Sequence, residues 1–147
     1  MRLYGFGECL PRESNYVDLD PERVDAWGIP SLRIHCQWSE NERRVLREMG
    51  TQAAQMLEAV GATQVEDFLE DNPPGLTIHE MGTARMGRDP ATSVLNGWNQ
   101  SWDIPNLFMT DGACMTSSAN QNPSITYMAL TARAVDHAVD MITRGEL

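Results

Sequence analysis

Asn106-Leu107-Phe108-Met109-Thr110-Asp111-Gly112-Ala113, followed by Asn120-Gln121-Asn122-Pro123-Ser124 and a long apolar-periodic run, is the stretch on which the fold turns. Leu107-Phe108-Met109 is short and apolar, is entered through Ile104-Pro105-Asn106 and is ended by Asp111-Gly112, a pattern that predicts a buried strand. A helix is expected to begin near Pro123, where a missing amide costs nothing, with Asn122 as its natural cap. Ile125, Met128, Ala129, Ala132, Val135, Val139 and Ile142 are expected on its buried face, with Gly145 past its end. The small residues Ala129, Ala132 and Ala138 would let that helix pack closely on a sheet. In open α/β sheets, ligands bind at the carboxyl ends of strands and at helix amino termini. Asp111 through Ser124 is therefore a candidate site.

Upstream lies a second segment richer in special residues than folding alone requires: Thr77-Ile78-His79-Glu80-Met81-Gly82-Thr83-Ala84-Arg85-Met86-Gly87. A histidine followed closely by two glycines suggests a backbone that must approach something closely. His79-Glu80 begins like the zinc motif H-E-x-x-H, but position 83 is threonine, so the motif fails and no metal site is expected. Taken alone, His79 reads first as a structural histidine and Asn122 as a helix cap.

Further out, Asn15–Asp20 alternates polar and apolar residues, as a strand does. Leu32, Ile34, Cys36 and Trp38 alternate more cleanly with Arg33, His35 and Gln37. His35 falls on the polar face and reads as a surface or groove residue. Ser39 and Glu42 fit the capping box of a helix, whose apolar face is Val45, Leu46, Met49, Ala53, Met56, Leu57 and Val60. Gly61 suits the left-handed position beyond its end. An acidic stretch, Glu66 to Asp71, then leads into Asn72-Pro73-Pro74-Gly75, the best candidate boundary. It divides the chain into residues 1–72 and 73–147.

The chain has 147 residues, 11 Lys and Arg against 21 Asp and Glu, and a formal charge of −10, a balance that argues against nucleic-acid binding. No apolar run approaches the roughly 18 residues of a membrane helix, and the opening MRLYGFGECL lacks a basic-then-apolar signal pattern. A cytoplasmic location is the expectation. Cys9, Cys36 and Cys114 show neither C-x-x-C spacing nor a disulfide framework and read as buried or idle thiols.

The stretches H-E-M-G-T-A-R-M-G (79–87), N-L-F-M-T-D-G-A (106–113) and N-P-S-I-T-Y-M-A-L (122–130), with the weaker F-G-E-C-L-P-R-E-S-N-Y-V-D-L-D opening (6–20), occur in this order. Together they resemble the carboxyl-terminal region of the glucose-methanol-choline (GMC) oxidoreductases, most like the sugar and polyol group. The resemblance implies an α/β (α+β) architecture: the end of a substrate-binding domain (1–72), a partial sheet with its helix, then the closing strand-loop-helix of an FAD-binding domain (73–147). It implies FAD as cofactor and His79 as the active-site histidine. Asn122 matches the second member of the catalytic pair, 43 positions further on (79 to 122). By the same resemblance Asp111, Gly112 and Ala113 match the turn that contacts the ribityl-pyrophosphate of FAD. Asn122, Pro123 and the first turn through Thr126 match the helix start that faces the flavin pyrimidine ring.

Elementary chemistry suits those roles. Oxidising an alcohol removes the hydroxyl proton as hydride leaves the carbon; an imidazole accepts such a proton near neutrality. An amide can donate a hydrogen bond to the developing alkoxide without competing for the proton. A helix amino terminus favours an anion placed before it. The family's dinucleotide-binding half needs a G-x-G-x-x-G turn; Gly5-Phe6-Gly7-Glu8-Cys9-Leu10 ends in leucine instead, and no apolar strand precedes it. The expected partners are thus a small alcohol or sugar substrate and an amino-terminal FAD-binding half or subunit. The alternatives are a non-catalytic remnant that binds a partner, and a small domain that binds a sugar near Arg33 and His35.

Overall fold

The computed structural model describes residues 1–66, 73–76 and 78–147. The chain forms two units, Met1–Leu76 and Thr77–Leu147. The boundary expected after residue 72 and most of the acidic run adjoin or fall in residues 67–72, which, like Thr77, lie outside the described residues.

In the first unit the two alternating stretches pair. Strand β1 (Tyr16–Val24) and strand β2 (Pro30–His35) form an antiparallel hairpin with partners Tyr16↔His35, Val17↔Ile34, Asp18↔Arg33 and Leu19↔Leu32. The turn is held by Asp25, whose Oδ1 accepts from the Trp27 amide (2.8 Å) and the Ile29 amide (2.9 Å). Gly28 supplies the left-handed φ of +82° that this turn needs. Directly opposed residues share a face, so Val17, Leu19, Leu32 and Ile34 form an apolar side and Tyr16, Asp18, Arg33 and His35 a polar one. His35 lies on the polar side as expected, stacked on Tyr16 at 4.2 Å between ring centroids. Cys36 and Trp38, expected to continue the strand, lie past its end.

Helix α1 (Glu40–Ala59) starts and stops where its local signals direct. Ser39 is the N-cap, the reciprocal capping box with Glu42 is complete, and Gly61 at φ +86° follows the end. Val45, Leu46, Met49, Ala53 and Leu57 are half-buried, whereas Met56 and Val60 are exposed. Glu42 is 4% exposed, the one buried residue of the helix. Beyond the capping box it accepts from the Arg12 guanidinium and from the Leu10 amide (3.3 Å), so the cap also ties down the amino-terminal segment.

The second unit is built from loops laid side by side, closed by one helix. The Gly82, Ala84 and Met86 amides donate to the carbonyls of Gly112 (3.1 Å), Ala113 (2.9 Å) and Cys114 (2.9 Å). Single bridges link Met86 with Leu95, Leu95 with Ser101 and Gln100 with Phe108. Leu107–Met109 is therefore not the buried strand expected from its composition. It is half-buried and makes one antiparallel bridge, because among the described residues no adjacent strand extends the ladder. Ala84, Leu95 and Cys114 form the core, with Met86, Met109, Ala113, Met115 and Leu130 packed against it.

Helix α2 (Ser124–Arg144) ends at Gly145 in the left-handed conformation, as expected. Its buried face is the opposite of the expected one. Ala134 is 2% exposed, and Tyr127, Leu130, His137, Ala138 and Met141 are half-buried, whereas Ile125, Met128, Val135, Val139 and Ile142 are each more than half exposed. The inward stripe wins because each polar or sulfur group on it finds a partner. The Tyr127 hydroxyl reaches the Met81 sulfur (3.5 Å), His137 stacks on Trp98 (4.6 Å), and Gln100 Nε2 donates to Met141 Sδ (3.6 Å). The more aliphatic stripe is left uncovered.

Candidate active site

Three pieces of the second unit converge: the histidine segment, a tight turn and the second turn of α2. The turn is a 3-10 helix, η1 (Gly112–Cys114), whose N-cap Asp111 accepts from the Ala113 amide through its own carboxylate (3.0 Å). The backbone ladder from Gly82, Ala84 and Met86 lies against this turn. Gly82 has φ +90°, which lets the chain leave the His79-Glu80-Met81 stretch and enter the ladder.

Gly112 is the tightest point. A Cβ there would meet the Glu80 carbonyl at 2.5 Å, the Tyr127 hydroxyl at 2.9 Å and the Met81 sulfur at 3.3 Å. Only a residue without a side chain lets the histidine segment, the turn and α2 approach one another this closely. Burial raises the Tyr127 hydroxyl pKa, and the nearby Asp111 carboxylate adds to that effect, so the phenol stays protonated and donates to Met81. The Cys114 thiol is likewise raised by burial and stays neutral in the core.

His79 is half-buried two residues before this contact, and among the described residues it makes no hydrogen bond, ion pair or ring contact. Asn122 is exposed and also makes none. It is not the helix cap: Pro123 occupies the N-cap position with φ −87° and ψ 0°, and no side chain caps the helix. With Pro123 already in the helical region, the extended geometry that lets an N-cap side chain reach back is lost. The consequence is an uncapped helix start beside which the Asn122 and Thr126 side chains stay exposed. The first-turn amides have no intrahelical acceptor and carry the positive end of the helix dipole.

Of the residues singled out in the sequence, His79, Asp111, Gly112 and Ala113 thus lie on segments joined by backbone hydrogen bonds, and Pro123 and Thr126 sit at the head of the helix that closes on them. No hydrogen bond joins His79 to Asn122 among the described residues. A polar cluster behind the turn was missed altogether. Asn99 is 0% exposed with φ +64°, and Gln100 and Ser101 are buried beside it. Asn96-Gly97, a turn signal, was the only local hint.

The GMC oxidoreductase family profile matches residues 11–131. The chain is similar to the 2-methyl-1,2-propanediol dehydrogenase of Mycolicibacterium austroafricanum, 39% identical over 137 residues, which covers 93% of this chain and 25% of that protein. It is 33% identical over 124 residues to the gluconate 2-dehydrogenase flavoprotein of Pantoea cypripedii, covering 80% of this chain and 20% of that one. With the fructose dehydrogenase large subunit of Gluconobacter japonicus it shares 30% identity over 143 residues, 97% of this chain and 26% of the other. The chain thus spans about a quarter of the length of the relatives it matches. Matched over most of its length, and by the three motifs that build the turn, the histidine segment and the helix start, the chain belongs to the GMC oxidoreductase family.

Proposed function

We propose that this chain supplies the proton-handling side of an FAD-dependent active site that oxidises CH–OH groups of a sugar, polyol or other alcohol. The observation that carries the reading is the clasp at Gly112, which holds the histidine segment against the Asp111–Ala113 turn beside the uncapped start of α2. That helix start suits the anion-bearing pyrimidine end of a flavin: it offers free amides, no side-chain cap, and the exposed polar groups of Asn122 and Thr126. The substrate class rests on the diol, gluconate and fructose named for three relatives.

In this reading Asp111, Gly112 and Ala113 hold the ribityl-pyrophosphate part of FAD, and Asn122, Pro123 and Thr126 face its pyrimidine ring. FAD, when bound, accepts the hydride from the carbinol carbon. His79 takes the hydroxyl proton from the same alcohol, so that carbon loses two electrons and one hydrogen while oxygen loses the other. Asn122 donates a hydrogen bond to the oxygen as its charge grows, and remains an amide throughout. Residues 1–72 end the substrate domain. The adenosine side of the cofactor site and a cover for the aliphatic stripe of α2 come from an amino-terminal half or subunit.

His79→Ala in the assembled flavoprotein is expected to slow flavin reduction by substrate about 10²–10⁴-fold, measured as bleaching of the yellow band in stopped flow. Unchanged bleaching removes His79 from the reaction. A non-catalytic remnant is the competing reading, favoured by the uncovered stripe of α2. Colourless protein after co-expression with a chain carrying the glycine-rich turn selects it.

A further inference from the structure

The run Asn96-Gly97-Trp98-Asn99-Gln100-Ser101 is polar, yet its last three residues are buried. Such burial is costly unless every polar group is satisfied, and at Asn99 each one is. Its carbonyl accepts from the Met109 amide (3.0 Å), and its Nδ2 donates to the Met109 carbonyl (2.9 Å), so one residue holds both hydrogen-bonding groups of Met109. Its Oδ1 accepts from the Arg133 guanidinium on α2 (3.0 Å). The Arg133 guanidinium in turn lies over Trp98 at 5.9 Å, and Trp98 stacks on His137. The φ of +64° is one that asparagine tolerates better than most residues with a side chain, and it lets backbone and side chain point at the same partner.

Asn99 therefore grips the approach to the turn and, through Arg133, the helix that closes on it. Nothing in that grip reaches His79 or the exposed end of α2. We propose that Asn99 is a positioning residue: it sets the Asp111–Cys114 turn against α2, and with it the spacing between the two surfaces that face the flavin. The purpose assigned to the grip rests on the FAD reading above; the grip itself does not. Arg133 is the helix-side arm.

The test uses the full 147-residue chain, as parent, Asn99→Gly and Arg133→Ala. Glycine keeps the left-handed backbone and removes only the side chain; Arg133 is exposed, so its variant keeps the fold even where the first does not. Amide hydrogen exchange is followed on the chain alone without cofactor, and FAD binding by quenching of flavin fluorescence after co-expression with an amino-terminal FAD-binding half. Both variants are expected to speed exchange across Met109–Cys114 at least tenfold, to leave α1 unchanged, and to weaken FAD binding by a similar factor. Unchanged exchange at Met109–Cys114 overturns the proposal. So does a uniform rise across Thr77–Leu147, which marks a merely structural role. A parent that binds FAD no tighter than its variants overturns the positioning role and leaves the flavin reading standing. A parent that binds no FAD even when joined to an amino-terminal FAD-binding half, with exchange still raised at Met109–Cys114 alone, overturns the flavin reading and leaves the grip standing.

Discussion

Gly112 lies so close beneath Glu80 that a Cβ at position 112 would meet the Glu80 carbonyl oxygen at 2.5 Å. Backbone cannot give way as a flexible side chain does, so Gly112→Ala must push the histidine segment off the turn. The expected cost is about 1–3 kcal/mol, the range for overpacking a close contact. Thermal unfolding of the chain measures it. Gly82→Ala is the companion: its Cβ meets nothing closer than the Met115 carbonyl at 3.5 Å, but φ is +90°. It should cost about 1–2 kcal/mol from backbone strain alone. Two variants as stable as the parent would mean that the clasp is not as tight as described.

The two faces of α2 give an opposite pair. Ala134 is 2% exposed, whereas Val139 is more than half exposed. Ala134→Asp places a carboxylate at a buried position and should cost at least about 3 kcal/mol. Val139→Asp should change the stability of this chain by no more than about 0.5 kcal/mol. Chemical denaturation of the two variants ranks them, and a reversed order would restore the face expected from the sequence.

Local signals and non-local ones separate cleanly in this chain. α1 was legible end to end because Ser39, Glu42 and Gly61 act on the backbone within a few residues of themselves. The two strands were legible from alternation, which needs only the pleat; their pairing was not, and β2 stops at His35, short of Cys36 and Trp38. The inward face of α2 was not, since counting aliphatic residues selects Ile125, Val135 and Ile142, while the partners that decide burial are Met81, Trp98 and Gln100, far away in sequence. Leu107–Met109 has the composition of a strand, but a strand exists only through its neighbours, and here it has one bridge. Asn122 lost its capping role to a single residue, Pro123, whose helical ψ no pattern announces. For the candidate site, the motifs marked both segments; that Gly82, Ala84 and Met86 pair with Gly112, Ala113 and Cys114 could be seen only in the fold.

On the hairpin, Arg33 donates to both carboxylate oxygens of Asp18, at 2.8 Å and 2.6 Å, and His35 Nε2 lies 3.2 Å from the first. The Arg33 hydrogen bonds, helped by His35, hold the Asp18 carboxyl pKa at about 2. Arg33→Gln should return it toward the ordinary aspartate value of about 3.9, followed by carboxyl chemical shifts in an NMR titration. Because the folded pKa is the lower one, the pair contributes stability above about pH 4 and loses it as the pH falls toward 2. The pair is partly exposed, so that contribution is small and weakens further in salt. An unmoved Asp18 titration in the variant would show that Arg33 is not its partner in solution.

Glu42 offers the stronger acid response. Burial by itself would raise its pKa, but hydrogen bonds from Ser39, from the Arg12 guanidinium and from the Leu10 amide outweigh burial and hold the carboxyl well below the usual glutamate range. A depressed folded pKa means that the stabilising contribution is complete above about pH 4.3, the ordinary glutamate value, and drains away as the pH falls below it. Glu42→Gln keeps the shape and much of the capping geometry while removing the charge, which leaves the half-buried Arg12 unpaired. Breaking a buried pair from one side costs about 3–5 kcal/mol; because Arg12 keeps partial access to water, about 2–3 kcal/mol is expected at pH 7. Arg12→Ala should cost less, since Ser39 and the Leu10 amide still serve the carboxylate. Urea unfolding followed by the helical circular dichroism of the chain, at pH 7, 4 and 2.5, reads both effects. The gap between parent and Glu42→Gln should close across that series, and a gap that stays constant would mean that Glu42 acts through packing and not through its charge.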